Sequence, residues 1–410
     1  MTVQKYSKRN FKAFVWHAVF LALTKNFAEI NTIIPTMLIQ AGGTPFHLGM
    51  LTTIMVGGSK FMQIFFAAFL THKKKTKKFL LMGIYIRVGA LLILGYLLSF
   101  AGDMEGKYVI AFILLLMTLF SFAGAFAGIA YNDILGKSIA ADSRKRFFIV
   151  KQILASTAVL ISALVARKIL TVYSYPVNYS ILFILAGLFL FAGSGGFWVI
   201  REKVSTVTES LSLGKKFALF GKALAGDKIL RNYLYTVNTT SLSIAIIPFL
   251  IALAKNNFGL TGRTVGNYLL LQVAGVIVAT ILFKFMEKGQ GYRGIMTIHI
   301  LSGALLPIAA LLLQNNSNLF MLLFPLSGLV LASKEIAVPG ILLEISNENN
   351  RAIYTGISGA GSVTTIIFPI AAGALITVVG FTPVFIIASL IVLSSFVFSA
   401  KIHCRGSRSI

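Results

Sequence analysis

Long apolar runs, separated by short polar intervals, dominate the hydropathy pattern of this chain. About 20 apolar residues cross the hydrocarbon core of a bilayer as a helix, and the pattern predicts twelve such spans, numbered 1 to 12. Their predicted bounds are 13–35, 47–71, 79–100, 108–132, 147–166, 179–200, 230–254, 264–286, 294–313, 319–343, 352–377 and 381–400. The predicted fold class is therefore an all-α integral membrane protein.

The polar intervals divide the spans into two groups of six. The longest interval contains Phe217 and Phe220 at helical spacing among lysines, a pattern typical of an amphipathic helix on a membrane surface. A plain structural linker is the alternative, and it is the favoured interpretation. The predicted organisation is an N-terminal six-helix bundle over 1–200, a cytoplasmic linker with an amphipathic helix over 201–229, and a C-terminal six-helix bundle with a short cytoplasmic tail over 230–410.

Composition and charge agree with a membrane protein. Hydrophobic residues make up 57% of the chain and charged residues only 12%, which is not a soluble composition. The net charge of +25 would suggest a nucleic-acid partner in a soluble protein, so its distribution matters. If the N-terminus lies inside, only five of the 37 lysines and arginines fall in outer loops: Lys107, Arg167, Lys168, Lys255 and Arg263. This positive-inside pattern predicts a multi-pass protein of the cytoplasmic (inner) membrane, with both termini in the cytoplasm and no nucleic-acid partner.

Short motifs recur in the two groups of spans. The tripeptide IIP at 33–35, near the outer end of span 1, recurs at 246–248, near the outer end of span 7. The segment ILGKSIAADSR at 134–144 is matched by ILLEISNENNR at 341–351. Matches in the same order and at equivalent places favour a duplicated six-helix unit, which is a common plan of transporters.

These features together resemble the major facilitator superfamily over nearly the whole chain. Glu344, followed after six residues by Arg351, resembles the Glu-x6-Arg signature of that family. In the first half the matching positions are Lys137 and Arg144, and Asp133 lies one turn earlier. The resemblance implies two pseudo-symmetric six-helix bundles and a cytoplasmic gate, whose candidate residues are Asp133, Arg144, Glu344 and Arg351.

Five charged residues fall near the middle of predicted spans, where they are costly. They are Lys25, Glu29, Lys60, Lys334 and Glu335. A lysine or an aspartate at the bilayer centre costs about 2.5 to 3.5 kcal/mol. Such residues normally pair with one another or face a water-filled cavity, so they indicate a functional site. We predict that they take part in solute binding or proton coupling.

Span 1 carries two of these charges on one side. At 100° per residue, Lys25, Glu29 and Thr32 lie along one stripe of a continuous helix, which predicts a cavity wall. Lys25 and Glu29 can also pair four residues apart, although such a pair adds only about 0.2 to 0.5 kcal/mol to a helix. A structural ion pair that ties span 1 to its neighbours is the alternative. For Lys60 in span 2, neutralisation of Glu29 and a functional role are equally favoured.

Lys334 and Glu335 in span 10 point about 100° apart, so one is expected to face a cavity and the other a neighbouring helix. The family resemblance implies that spans 1, 4, 7 and 10 line the transport path. Asn238 of span 7 joins the candidates because it aligns with Lys25 of span 1. The alternative is that Asn238 only joins two helices, as asparagine in membrane helices often does.

Four further polar residues lie inside predicted spans: Arg87, Lys151, His17 and His299. The two cations lie nearer the inner surface, and a structural or gating role is expected for them. The two histidines are expected to be hydrogen-bonded packing residues.

The favoured function is secondary active transport of a small polar solute by alternating access, as a symporter or an antiporter. Glu29 or Glu335 is the candidate for proton coupling, and three lysines against two glutamates favour an anionic or zwitterionic solute. No nucleotide-binding loop or metal-binding motif occurs in the sequence, so neither an enzyme nor a cofactor or metal is predicted. The expected partners are the solute, a proton and the lipid bilayer, and the chain is expected to be monomeric. The alternatives are a lipid flippase or exporter, and a non-transporting sensor with a transporter fold.

Overall fold

All regular secondary structure is helical in the residues that a computed structural model describes, which are 2–71, 73–139, 141–202, 213–347 and 350–402. The α-helices are α1 Thr2–Phe27, α2 Ile33–Gln40, α3 Pro45–Thr52, α4 Ser59–Thr71, α5 Lys77–Ser99, α6 Gly106–Ser138, α7 Ala141–Val172, α8 Val177–Val199, α9 Leu213–Gly226, α10 Lys228–Ala245, α11 Ile247–Phe258, α12 Gly262–Leu313, α13 Ser317–Phe320, α14 Leu323–Ile345, α15 Arg351–Ala360, α16 Thr364–Val379 and α17 Phe381–Ser399. A π-helical turn occupies Thr53–Gly58, and a 3₁₀ turn occupies Ala101–Asp103. The predicted all-α fold class is confirmed.

Ten helical segments of the described chain are long and apolar enough to cross a bilayer, judged by length and composition. They correspond to the predicted spans 3 to 12. The single element α12 contains spans 8 and 9, and Gly291, with a φ of 60°, kinks it between them. Spans 1 and 2 form no uninterrupted α-helix, and the interruption of span 1 has identifiable causes.

Span 1 is broken between α1 and α2, so the prediction of one helix over 13–35 is wrong. Pro35 has no amide hydrogen, and in a continuous helix its ring would collide with the carbonyl of Asn31. The Glu29 carboxylate also accepts the backbone amides of Asn31 and Thr32 at 2.8 and 2.6 Å, in place of helical hydrogen bonds. The chain therefore restarts as α2 two residues before the proline.

The same tripeptide restarts a helix in span 7. Helix α10 ends at Ala245, and α11 begins at Ile247 with Pro248 in its first turn. Proline is tolerated in a first turn because the amides there have no helical acceptor. The IIP repeat of the sequence therefore marks a helix restart in both spans.

Span 2 is interrupted by the π-helical turn, which separates α3 from α4. Hydrogen bonds five residues apart change the angular register of the side chains, so the two parts of the span do not share one α-helical face. Within the turn, the Thr53 hydroxyl donates to the Ile366 carbonyl of α16 at 2.8 Å. This bond anchors the first part of span 2 to α16.

The helices group into two compact units. Unit 1 comprises 1–43, 58–210 and 261–266, and unit 2 comprises 44–57, 211–260 and 267–410. The first part of span 2, before Gly58, thus belongs to unit 2, and the start of α12 belongs to unit 1.

Glycines let backbones touch directly inside each unit. In unit 2, a Cβ added at Gly49 of α3 would lie 2.2 Å from the carbonyl oxygen of Pro369 in α16. In unit 1, a Cβ added at Gly262 of α12 would lie 1.7 Å from the carbonyl oxygen of Leu170 in α7. Because no side chain fits into either contact, the backbones of these helix pairs touch at these points.

Aromatic packing fills the interior of unit 1, while apolar side chains cover its outside and that of unit 2. Phe14 is fully buried and makes edge-to-face contacts with Tyr131, Phe147 and Phe197 from three other helices. Many large apolar side chains stay exposed, and Val378 of α16 is 82% exposed. A surface of this kind belongs in hydrocarbon, as expected for a multi-pass membrane protein.

Candidate functional site

Glu29 caps a helix inside the break of span 1. Its Oε2 accepts the Thr32 amide at 2.6 Å and the Thr32 hydroxyl at 2.8 Å, and its Oε1 accepts Nδ2 of Asn31 at 2.7 Å. The Asn31 amide is the fourth donor, at 2.8 Å. Negative charge is favourable at this place, because the first amides of α2 have no helical acceptor and the helix dipole is positive there. The carboxylate is thus engaged in holding the start of α2.

Lys25 does not pair with Glu29 in the described part of the chain, so the alternative of an ion pair four residues apart is not found. Helix α1 ends at Phe27, so the geometry that would bring the two side chains together is absent. Lys25 is exposed, whereas Thr32 is fully buried. The predicted stripe of Lys25, Glu29 and Thr32 is therefore wrong, and a role for Lys25 in solute binding stays a prediction.

Glu335 differs from Glu29, the other acid at mid-span, which accepts four hydrogen bonds. It lies in the middle of α14 with an exposed side chain, and none of the described cations forms an ion pair with it. Its neighbour Lys334 is half-buried and interacts with other groups. Lys334 is also close enough to His299 of α12 for its charge to act on that histidine. Lys60 in the first turn of α4 is likewise half-buried and engaged. Lys334 and Glu335 thus have different surroundings, as their 100° separation predicts.

Asn238 of α10 closes the break between α15 and α16. Its Nδ2 donates to the Gly361 carbonyl at 2.7 Å, and its Oδ1 accepts the Thr364 amide at 3.1 Å. The hydroxyl of Ser241, one turn along α10, lies 2.6 Å from the hydroxyl of Thr364. These bonds satisfy backbone groups that the break leaves without helical partners. The geometry favours a helix-joining role for Asn238, and solute binding by it stays a prediction.

Asn26 of α1 makes a similar connection in unit 1, although the sequence pattern did not single it out. Its Nδ2 donates to the Val159 carbonyl of α7 at 2.5 Å and to the Ser162 hydroxyl at 3.0 Å. One asparagine therefore joins span 1 to span 5, and the other joins span 7 to span 11. The sequence does contain an indication of Asn26, because it lies seven residues before one IIP tripeptide and Asn238 lies eight residues before the other.

Replacing Asn238 by alanine is expected to destabilise unit 2. The change leaves the Gly361 carbonyl and the Thr364 amide without their partner, and a buried unsatisfied group costs about 1 to 3 kcal/mol. Thermal unfolding in detergent, followed by circular dichroism, should show a lower midpoint than that of the parent. The matched control is Asn256→Ala, at an exposed asparagine of α11, which should unfold like the parent. Equal midpoints for the two variants would contradict the helix-joining role.

The two histidines of the spans are buried packing residues, as expected. Nδ1 of His17 lies 3.2 Å from the carbonyl oxygen of Gly193, and its ring centroid lies 4.3 Å from that of Phe197. Nδ1 of His299 lies 3.1 Å from the hydroxyl of Ser333.

A polar network in unit 1 surrounds the gate candidate Asp133. Asp133 forms an ion pair with Lys137, and it accepts the Thr76 hydroxyl at 2.8 Å. Glu202 accepts the amides of Thr76 and Lys77 at 2.6 and 2.9 Å, which caps α5. The network joins α5, α6 and the segment after α8. No local motif indicates Glu202, because the amides that it accepts lie more than a hundred residues away in the sequence.

The gate candidates of unit 2 are not joined to each other. Glu344 lies in the last turn of α14 and Arg351 begins α15, and no ion pair connects them in the described ranges. Asp227 caps α10 and also accepts the Tyr354 hydroxyl of α15. An aspartate directly before a helix is an N-cap signal, so the sequence could have indicated Asp227. Arg144 lies in α7 with its side chain outside the described residues, and a gate role for the four candidates stays a prediction.

Comparison by sequence finds no matching family model and no matching curated protein. Comparison by structure finds solved transporters of the same fold. A mutant of the nucleoside transporter NupG has a TM-score of 0.70 and 12% identity, over 95% of this chain and 99% of that chain. The peptide transporter POT in complex with sulfate has a TM-score of 0.70 and 13% identity, over 98% of both chains. A bacterial metal transporter has a TM-score of 0.63 and 14% identity, over 96% of this chain and 98% of that chain. This chain therefore has the fold of the major facilitator transporters.

Proposed function

We propose that this chain is a secondary active transporter of a small anionic or zwitterionic solute in the cytoplasmic membrane. The observation that carries the proposal is the exposed charge of Glu335 in the middle of an apolar helix of membrane-spanning length. A charge at that depth needs water or a solute around it rather than hydrocarbon. Glu335 therefore lines a hydrated path, and a hydrated path through a helical bundle serves the passage of a polar solute.

The fold supports alternating access as the mechanism. Solved structures with this fold include proteins described as a nucleoside transporter and as a peptide transporter in complex with sulfate. Transporters built from repeated bundles bind their solute near the bilayer midplane, commonly beside discontinuous helices, and expose it to each side in turn. The helix restarts in spans 1 and 7 fit this plan. The proposed functional unit is a non-enzymatic monomer with both termini in the cytoplasm.

The charge balance favours a solute that carries negative charge. Glu29 is engaged by four donors at the start of α2, so it does not serve as the partner of a bound cation. The five charged residues at mid-span are three lysines, Lys25, Lys60 and Lys334, and two glutamates, Glu29 and Glu335, so their sum is positive. An anion or a zwitterion would neutralise this excess.

Glu335 is the proposed proton-coupling residue. A coupling carboxylate must change its partners during the transport cycle. Glu29 could do so only by releasing the start of α2, whereas Glu335 makes no hydrogen bond or ion pair among the described residues. The proton would therefore bind at Glu335 and not at Glu29.

Flux into proteoliposomes tests the proposal. Labelled carboxylates, amino acids, nucleosides and sugars are screened with and without an imposed pH gradient. One class of solute should accumulate above the level of protein-free vesicles, and a proton ionophore should abolish that accumulation. Accumulation that persists with the ionophore would overturn proton coupling and leave transport in place.

Two other outcomes would replace transport altogether. Binding of a solute without any flux would indicate a sensor that has a transporter fold. Movement of a labelled lipid between leaflets, without flux of any water-soluble solute, would indicate a flippase.

A further inference from the structure

Two cations of unit 1 lie inside membrane spans without an acid beside them. Arg87 of α5 and Lys151 of α7 form no ion pair with any carboxylate that the structure describes. Nε of Arg87 is buried and has no hydrogen-bond partner. Two acids of the same unit are engaged elsewhere, since Glu29 caps α2 and Asp133 pairs with Lys137. A buried guanidinium donor normally has an acceptor, so the missing acceptor points to a group from outside the chain.

Both cations lie against the same face of α6. The guanidinium carbon of Arg87 lies 4.3 Å from the ring centroid of Phe120, and Nζ of Lys151 lies 5.8 Å from that of Tyr131. Phe120 and Tyr131 are about three helical turns apart, so they point in the same direction. His17 of α1 lies 6.0 Å from Tyr131 between ring centroids, and it is close enough to both cations to feel their charge. The two cations thus belong to one region of unit 1.

Two glycines on this side of α6 differ in the space beside them. A Cβ added at Gly124 would lie 3.3 Å from Nε of Arg87, so the guanidinium rests close to the helix backbone. A Cβ added at Gly128, one turn closer to Tyr131, would meet no atom within 4 Å, although Gly128 is half-buried. Gly128 thus leaves open space beside the backbone of α6, one turn from Gly124, where Arg87 rests, and about one turn from Tyr131.

We propose that Arg87 and Lys151 bind an oxyanion of the transported solute, a carboxylate or a phosphate group, in the space beside Gly128. A guanidinium presents a planar fork of donors that fits two oxygens of such a group, and the Arg87 Nε is one donor of that fork. The half-buried ring of Tyr131 offers an apolar surface for the body of the solute. The inference rests on the proposed transport function, and it replaces the structural or gating role expected for both cations.

Binding to the purified full-length chain in detergent tests the site without any flux. Inorganic phosphate, succinate and adenosine monophosphate are titrated at constant ionic strength, with chloride as the reference anion, and the unfolding temperature is recorded. At least one oxyanion should raise the midpoint in a saturable way that chloride does not reproduce. Comparison of succinate with phosphate distinguishes recognition of a carboxylate from recognition of a phosphate.

Variants locate the binding. Arg87→Gln should raise the apparent dissociation constant of the oxyanion by at least about 30-fold, because it removes the cation that pairs with the bound anion. Gly128→Leu keeps both cations but fills the space, so it should weaken binding to a similar extent. Arg87→Lys keeps the charge and loses the fork, and its intermediate affinity would test the site even if Arg87→Gln did not fold. Lys78→Gln, at the exposed inner end of the same helix, is the matched control and should bind like the parent.

Two results of the binding measurements would overturn the site. One is the absence of any oxyanion-specific shift in the parent, and the other is an equal shift in the parent, Arg87→Gln and Gly128→Leu. Flux measurements distinguish a failure of the proposed oxyanion site from a failure of the transport proposal. Anion flux that both variants leave unchanged would overturn the site and preserve transport, whereas binding without flux in the parent would overturn transport and preserve the site.

Discussion

Glu335→Gln is expected to reduce gradient-driven accumulation of the solute to the level of protein-free vesicles. Glutamine keeps the size and polarity of the side chain but cannot carry an exchangeable acidic proton, so the pH gradient would no longer drive the solute. The expected loss is at least about tenfold, which corresponds to about 1.4 kcal/mol in the driven step. Exchange of labelled for unlabelled solute without a gradient should persist, because that reaction needs no net proton movement. Parallel measurements of accumulation and exchange in the same vesicles distinguish the two effects.

Two matched glutamate-to-glutamine variants show whether this loss is specific. Glu105 is exposed, next to Lys107 at the start of α6, and Glu105→Gln should transport like the parent. Glu29→Gln should lower stability and keep coupling, because Glu29 caps α2. Full gradient-driven accumulation by Glu335→Gln would show that Glu335 is not the coupling group. Loss of coupling in Glu29→Gln alone would assign the role to Glu29.

The number and order of the membrane helices could largely be predicted, because an apolar run of bilayer length has few alternatives to a helix. Spans 3 to 12 all correspond to helical segments of sufficient length. The repeated IIP tripeptide was also informative, since Pro35 and Pro248 each lie near the start of a helix. The amphipathic pattern of the central linker likewise corresponds to α9.

The interruptions of the helices could not be predicted from hydropathy, because single side chains and local backbone bonds determine them. The hydropathy pattern places Glu29 on a continuous helix, yet its carboxylate accepts the amides of Asn31 and Thr32 and so interrupts that helix. The π-helical turn of span 2, Thr53–Gly58, lies inside an apolar run, and hydropathy does not distinguish it from an α-helical turn. Hydropathy gives the cost of a buried charge but does not show which groups bind it.

The roles of the charged residues could not be separated from the sequence for the same reason. Glu29, Asp133 and Arg87 all lie within apolar or flanking segments, and spacing alone gives each a functional interpretation. In the structure, Glu29 caps a helix, Asp133 pairs with a lysine, and Nε of Arg87 has no described partner. These differences depend on neighbouring helices, which spacing along one helix does not reveal.

Glu29→Leu is expected to be strongly destabilising, because leucine cannot accept any of the four hydrogen bonds that end on the carboxylate. Asn31 and Thr32, which supply the donors, are buried, so water does not readily replace the lost acceptor. A buried unsatisfied group costs about 1 to 3 kcal/mol, and partial rearrangement gives a total loss on the order of 4 kcal/mol. Such a loss would lower the unfolding midpoint by roughly 5 °C. Thermal unfolding in detergent, followed by circular dichroism, measures it.

The series Glu29→Gln, Glu29→Leu and Lys25→Leu separates the cap from the charge. Glutamine keeps one acceptor oxygen, so its midpoint should fall between those of the parent and the leucine variant. Lys25 lies one turn earlier and is exposed, so Lys25→Leu changes a charge without removing a buried acceptor and should unfold near the parent. If Glu29→Leu were as stable as the parent, Pro35 alone would be sufficient to hold the break, through its missing amide hydrogen and its clash with the preceding turn. Glu29 would then have no structural role, and its charge inside a membrane span would again require a functional explanation.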